Sequence, residues 1–193
     1  KIESSGEFSF SSANIRDELY GRAERAERDI FKRRIIDDVM NTLDQCVDPD
    51  IELDAVLSGL GLTRSEVISL TPSFLASVRK WLEGQDIHFG RSAFGAVKKM
   101  LEINGRAVSI ETVAKEALLI DILTGASGPF VDTRIEISML GMNKLLARYG
   151  MSAVPAKLEY SDIMNVKKPF LTLVNNKHYV TVVAVTDKEV SYW

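Results

Sequence analysis

The sequence is poor in the residues that build covalent or metal-held frameworks. Its 193 residues include one cysteine, Cys46, and two histidines. A single thiol excludes an internal disulfide and a paired-cysteine metal motif, and the two histidines stand in no ligand spacing. We therefore expect no metal site and no cofactor. We interpret Cys46 as a small buried hydrophobic residue.

Long apolar runs and a surplus of basic residues are also missing. No run of about 18 apolar residues occurs, so the sequence predicts no membrane span. The net charge is −3 at pH 7, and Lys and Arg are dispersed along the chain, which disfavours nucleic acid as a partner. Because the sequence starts at Lys1 and stops at Trp193 within an unfinished strand, we expect an excerpt of a longer protein. We expect it in the cytoplasm, at the inner face of the membrane if a membrane protein contains it.

The N-terminal part of the sequence has a helical pattern. Apolar residues recur at three- and four-residue steps over residues 13–45, which predicts one long helix or two stacked helices. Mixed charges at residues 22–34 predict a solvated helix face, and a coiled-coil homo-oligomer through residues 13–45 is the alternative. Pro49 ends the pattern.

Shorter amphipathic helices are predicted after Pro49. They occupy residues 51–60, a segment that begins after Thr63 with Glu66 placed for a capping box, and a segment with Pro72 in its first turn. We therefore assign residues 1–84 to an all-helical N-terminal domain or extension.

Residues 85–193 pass from a helical to a strand-like period. Helices are predicted over residues 91–103, from the N-cap Ser109, and over 137–149. After Gly150 the period falls to two, which predicts strands at residues 154–158, 170–174, 179–185 and from 190 onward. Helices followed by an antiparallel sheet make an α+β fold, and we treat residues 85–193 as a second domain.

Five short motifs of this second domain follow one another in a distinctive order. They are Phe89-Gly90, Asn104-Gly105, the helix end at residues 145–150, Lys168-Pro169-Phe170 and His178-Tyr179-Val180. This order, with helices before strands, resembles the papain-like C39 peptidases. Members of that family process bacteriocins and stand at the N-termini of some peptide and protein exporters.

The resemblance implies a helical lobe and an antiparallel sheet on either side of a peptide groove. It also implies a cysteine at the N-terminus of the first helix, where the dipole favours thiolate, and a histidine from the sheet. Phe89 stands at the nucleophile position, His178 at the histidine position, and Gln85 at the position of an oxyanion-hole glutamine. No catalytic set is intact, because Phe89 has no nucleophilic atom and the sequence stops where the orienting Asp is expected.

The resemblance therefore predicts a pseudopeptidase with no enzymatic activity. We expect it to recognise peptide or unfolded protein cargo through Phe89, His178 and Tyr179, in a bacterial export system that includes an ABC exporter. Two alternatives stay open. The chain is a regulatory or oligomerisation domain that acts through its N-terminal helices, or it is an active cysteine peptidase in which Phe89 replaces a natural cysteine.

Overall fold

The computed structural model describes residues 12–85, 93–130, 136–157, 159–174 and 178–193, with the backbone alone for 12–20 and 160. Within these ranges six α-helices precede a three-stranded antiparallel sheet of order β1-β2-β3. The elements are α1 (Ser12–Gln45), α2 (Leu53–Gly59), α3 (Pro72–Gly84), α4 (Ala93–Ile103), α5 (Ile110–Thr124), α6 (Met139–Arg148), β1 (Phe170–Val174), β2 (His178–Val185) and β3 (Val190–Tyr192). The mixed composition and the order of helices before strands are confirmed, whereas a papain-like arrangement is not.

Three of the helices begin at polar residues that cap them. The side chains of Thr71, Ser109 and Ser138 each accept a hydrogen bond from the backbone N–H three residues later. Pro72 occupies the first turn of α3, where its missing N–H has no cost. Gly125 ends α5 in the left-handed conformation, with φ of 71°. These ends depend on neighbours in sequence, so they were predictable.

All six helices contribute buried side chains to one hydrophobic cluster. α1 packs against α3 and α5, and α5 also packs against α4 and α6. Every hydrophobic residue of α5 from Val113 to Leu123 is buried, which makes α5 the central helix. Buried side chains from both sides of position 85 thus belong to the same cluster, and the division into two domains stays a prediction. Cys46 is buried as predicted, and burial raises the pKa of its thiol.

Among the side chains of α1 that the structure describes, from residue 21 onward, the fully buried ones lie in the C-terminal part. The apolar stripe that suggested a coiled coil is buried there, at Ile35, Ile36, Val39, Met40 and Leu43. Residues 21–34 are largely exposed, and Ile30 in this part is 59% exposed. A homo-oligomer through residues 13–45 stays a prediction, although these five apolar side chains pack within the chain's own core.

Two predicted elements differ from the structure. The segment after Thr63 is a single 3₁₀ turn, Arg64–Glu66, and not a longer helix. The chain then extends, and Ile68 N donates to Leu123 O at 2.8 Å, so a tertiary contact with α5 replaces further helical bonding. The strand expected at 154–158 is absent over residues 154–157, since no neighbouring strand is there to pair with them. Position 158 and the turn at 175–177 lie outside the described residues.

The 3₁₀ turn is tied to α6 through Glu66. Its Oε2 accepts hydrogen bonds of 2.9 Å from the backbone N and the hydroxyl of Thr63, and its other oxygen pairs with Lys144. The hydrogen bonds from Lys144 and then from Thr63 lower the pKa of Glu66 from 4.5 to about 2. The folded state therefore holds this carboxylate ionised at a pH where the unfolded chain has protonated it.

We expect Glu66→Gln to lower the melting temperature at neutral pH and to lower it less in acid. A depressed pKa in the folded state adds stability above about pH 4.5, and this is lost as pH falls towards 2. Thermal unfolding of both proteins between pH 3 and 7 measures the difference. Glu52→Gln is the control, because Glu52 makes no side-chain cap. A difference that stays constant across this pH range would contradict the assignment.

Candidate functional site

A groove of about 430 Å³ lies between α4, α6, the segment 151–155 and the start of β1. Its lining is mainly apolar and includes four of the six methionines of the chain. These are Met100 from α4, Met139 and Met142 from α6, and Met151 just after that helix. Phe170 and Leu171 of β1 and Tyr179 of β2 complete much of the apolar surface.

The methionines connect a buried floor to an exposed rim. Met100 and Met142 are buried, whereas Met139 is 56% exposed and the neighbouring Val154 is 83% exposed. A methionine side chain is unbranched and polarisable, so it adapts to ligands of different shape. The groove therefore suits variable apolar side chains better than one rigid small molecule.

β1 has backbone N–H and C=O groups on its unpaired edge, and this strand begins beside the groove. It is an edge strand that pairs with β2 from Phe170↔Val182 to Val174↔His178. No other described residue pairs with its second side. An edge strand of this kind can accept an extended peptide as an additional strand.

His178 opens β2 and is exposed. It borders a second depression of about 500 Å³, together with Lys98, Lys99 and Glu102 of α4 and with Trp193. Lys99 Nζ lies 4.1 Å from the centroid of the Trp193 ring, which is a cation–π contact. The depression beside the histidine is thus lined by the Trp193 ring, two lysines and Glu102, and these described lining residues include no cysteine or serine nucleophile.

β2 packs directly against α4. Thr181 Oγ1 donates to Ala96 O at 2.6 Å, and two residues earlier in β2 Tyr179 lines the groove with Met100 and Asn104. The described residues thus place β2 beside α4, and a papain-like position of the histidine relative to this helix stays a prediction. Phe89 lies outside the described residues, so its distance from His178 stays a prediction.

Gln85 and Tyr179 have different surroundings. Gln85 follows the end of α3, and its backbone oxygen accepts a hydrogen bond from Lys32 Nζ, which links α1 to α3.

Tyr179 is half-buried between the groove and the depression beside His178. Burial and then the charge of Glu136 raise the pKa of Tyr179. Tyr179 is thus the one predicted peptide-binding residue that the described groove contains.

No family model, curated protein or solved structure matches this chain. No helix in the described ranges combines the length and apolarity needed to cross a membrane. Within the same ranges, no three side chains of His, Cys, Asp or Glu gather as a metal site would require.

The groove-lining methionines were not recognised from the sequence. Met100 and Met142 stand at apolar positions of helical patterns, where a core role is the ordinary interpretation. They become groove residues because β1 and the segment 151–155 pack beside α4 and α6 without filling the space between them. The frequency of methionine was the available signal, with six in 193 residues.

Proposed function

We propose that the chain is a non-catalytic, C39-peptidase-like module that recognises peptide or unfolded protein cargo in a bacterial export system. The observation that supports this proposal best is the methionine-lined groove beside the edge strand β1. A groove of this kind offers adaptable apolar contacts together with unpaired backbone groups. The replacement of the expected cysteine by Phe89 supports binding without cleavage.

The proposal does not depend on a catalytic constellation. Recognition requires only that the side chains of the cargo enter the groove and that the backbone of the cargo lies along the edge strand β1. Because an extended segment must be ordered on binding, we expect modest affinity. Recognition through methionine contacts also predicts low selectivity among apolar side chains, which suits cargo that is unfolded.

The alternative of oligomerisation through the N-terminal helices has less support. The apolar stripe of α1 from Ile35 to Leu43 packs against the chain's own core. In the exposed part of α1 whose side chains are described, residues 21–34, Ile30 is the large aliphatic side chain with high exposure. An isolated residue of this kind does not make an oligomer interface.

Val154→Asp and Met139→Asp should each weaken peptide binding about tenfold or more. Each change places a carboxylate where a cargo side chain would be buried, and a tenfold loss corresponds to about 1.4 kcal/mol. Both positions are more than half exposed, so the fold should tolerate the change. The measurement is fluorescence anisotropy with a labelled peptide rich in Leu, Met and Phe.

Ile30→Asp is the matched control, because it also removes an exposed apolar side chain, but from α1. Its peptide affinity should equal that of the parent protein. If the α1 variant loses binding and the two groove variants keep it, the groove is not the recognition site. Sedimentation velocity on the same three variants tests the oligomerisation alternative, which predicts a change for Ile30→Asp alone.

A further inference from the structure

The charges along the groove are unevenly distributed. The charged side chains that line it are Lys167 and Lys168, at the end where the chain enters β1. Lys167 is exposed, and Lys168 is half-buried with its Nζ donating to Met164 O at 2.6 Å. No carboxylate of the described residues lies within ion-pair distance of either lysine. At this end of the groove, the two lysines thus have no ion-pair partner among the described residues.

The rest of the groove carries no compensating charge. Among the described residues that line it, those other than the two lysines are apolar or neutral. Positive charge at one end of an otherwise uncharged lining gives the groove a basis for selecting the composition of its ligand.

We propose that the groove selects peptide segments that combine apolar side chains with an acidic residue, and that the acidic residue lies beside Lys167 and Lys168. The inference rests on the proposed function and adds the chemical class of the cargo. The methionines bind the apolar side chains, and the two lysines attract the acidic one. The attraction is partly exposed to water, so it sets preference more than total affinity.

The test compares three labelled twelve-residue peptides with the same Leu, Met and Phe positions. One carries Glu, one Lys and one Gln at a single terminal position. Fluorescence anisotropy at low salt should show the Glu peptide binding about threefold to tenfold more tightly than the Lys peptide. Raising the salt to about 0.5 M should reduce the preference, because the lysines are solvent-accessible and are screened.

Lys167→Glu should reverse the order of the Glu and Lys peptides. Lys188→Glu changes net charge equally in the turn between β2 and β3, and it should leave the order unchanged. Equal binding of all three peptides, unaffected by Lys167→Glu, overturns the charge selection while the proposed function stands. Absence of binding by every peptide overturns both. Self-association that the peptides compete away would assign the groove to a second copy of the chain and overturn the inference.

Discussion

Replacing Gly141 by Ala should destabilise the fold by about 3 kcal/mol, one of the two largest effects that we expect. A Cβ at this position would stand 2.3 Å from Oδ1 of Asp121, closer than such atoms approach in proteins. Asp121 cannot move aside, because its carboxylate accepts hydrogen bonds from the backbone N and the hydroxyl of Ser138 at 2.7 and 2.5 Å. Either α6 shifts away from α5 or these bonds break.

Thermal unfolding followed by circular dichroism measures this effect, and for a chain of this size the melting temperature should fall by about 10 °C. Gly84→Ala is the matched control. It also replaces a helical glycine, but a Cβ there would meet nothing within 4 Å, so we expect a change of about 0.5 kcal/mol or less. Equal melting temperatures for the two variants would show that the close approach of α5 and α6 is not required.

Removing the buried carboxylate should have a comparable effect. Asp121→Ala leaves the N–H and hydroxyl donors of Ser138 without their acceptor at the N-terminus of α6, where a negative charge also complements the helix dipole. We expect a loss of about 3 kcal/mol in the free energy of unfolding, measured by chemical denaturation. Asp44→Ala, at an exposed position of α1, is the control and should be nearly neutral.

The two substitutions should not be additive. In the double variant Asp121→Ala/Gly141→Ala the new methyl group no longer meets a carboxylate, so the total loss should be smaller than the sum of the single losses. A strictly additive result would mean that the two residues do not interact. This cycle thereby tests the contact itself, independently of how much each residue stabilises the protein.

Asp121 also predicts a dependence on pH. Burial raises the pKa of its carboxyl above 3.8, and the hydrogen bonds from Ser138 oppose this. The folded state therefore keeps a proton that the unfolded chain has released, so stability decreases as pH rises from about 4 to the raised pKa. Asp121→Asn should remove that part of the slope. An unchanged profile between pH 3.5 and 7 would show that Asp121 does not titrate differently in the two states.

The elements predicted correctly are those whose signals are local. Ser109 caps α5 and Pro72 starts α3 because the hydrogen bonds and the steric limits involve neighbours within one turn. The predicted helix after Thr63 was wrong for a nonlocal reason, since the bond from Ile68 N to Leu123 O extends the chain along α5. The expected strand over residues 154–157 was wrong because a period of two does not supply a pairing strand.

Some residues of the candidate site were likewise predicted from the sequence and others were not. Tyr179 was predicted to bind peptide and lines the groove, whereas His178 borders a separate depression with Lys98 and Trp193. The contribution of Met100 and Met142 was missed, since helical periodicity marks a side chain as inward-facing without showing what lies opposite. Nothing in the described residues tests the role assigned to Phe89.

The sequence by itself determined that Pro72 starts α3, that Ser109 caps α5, that strands follow the helices, and that one thiol and two histidines leave little scope for a metal site. Only the tertiary structure decided that α1 and α5 share one core, that Gly141 lets α6 approach the Asp121 carboxylate, and that four methionines line one groove. The physical reason is the distance in sequence between the residues that interact. Caps and periodicity act within a few residues, whereas a core, a close approach and a groove require surfaces that are distant in the chain.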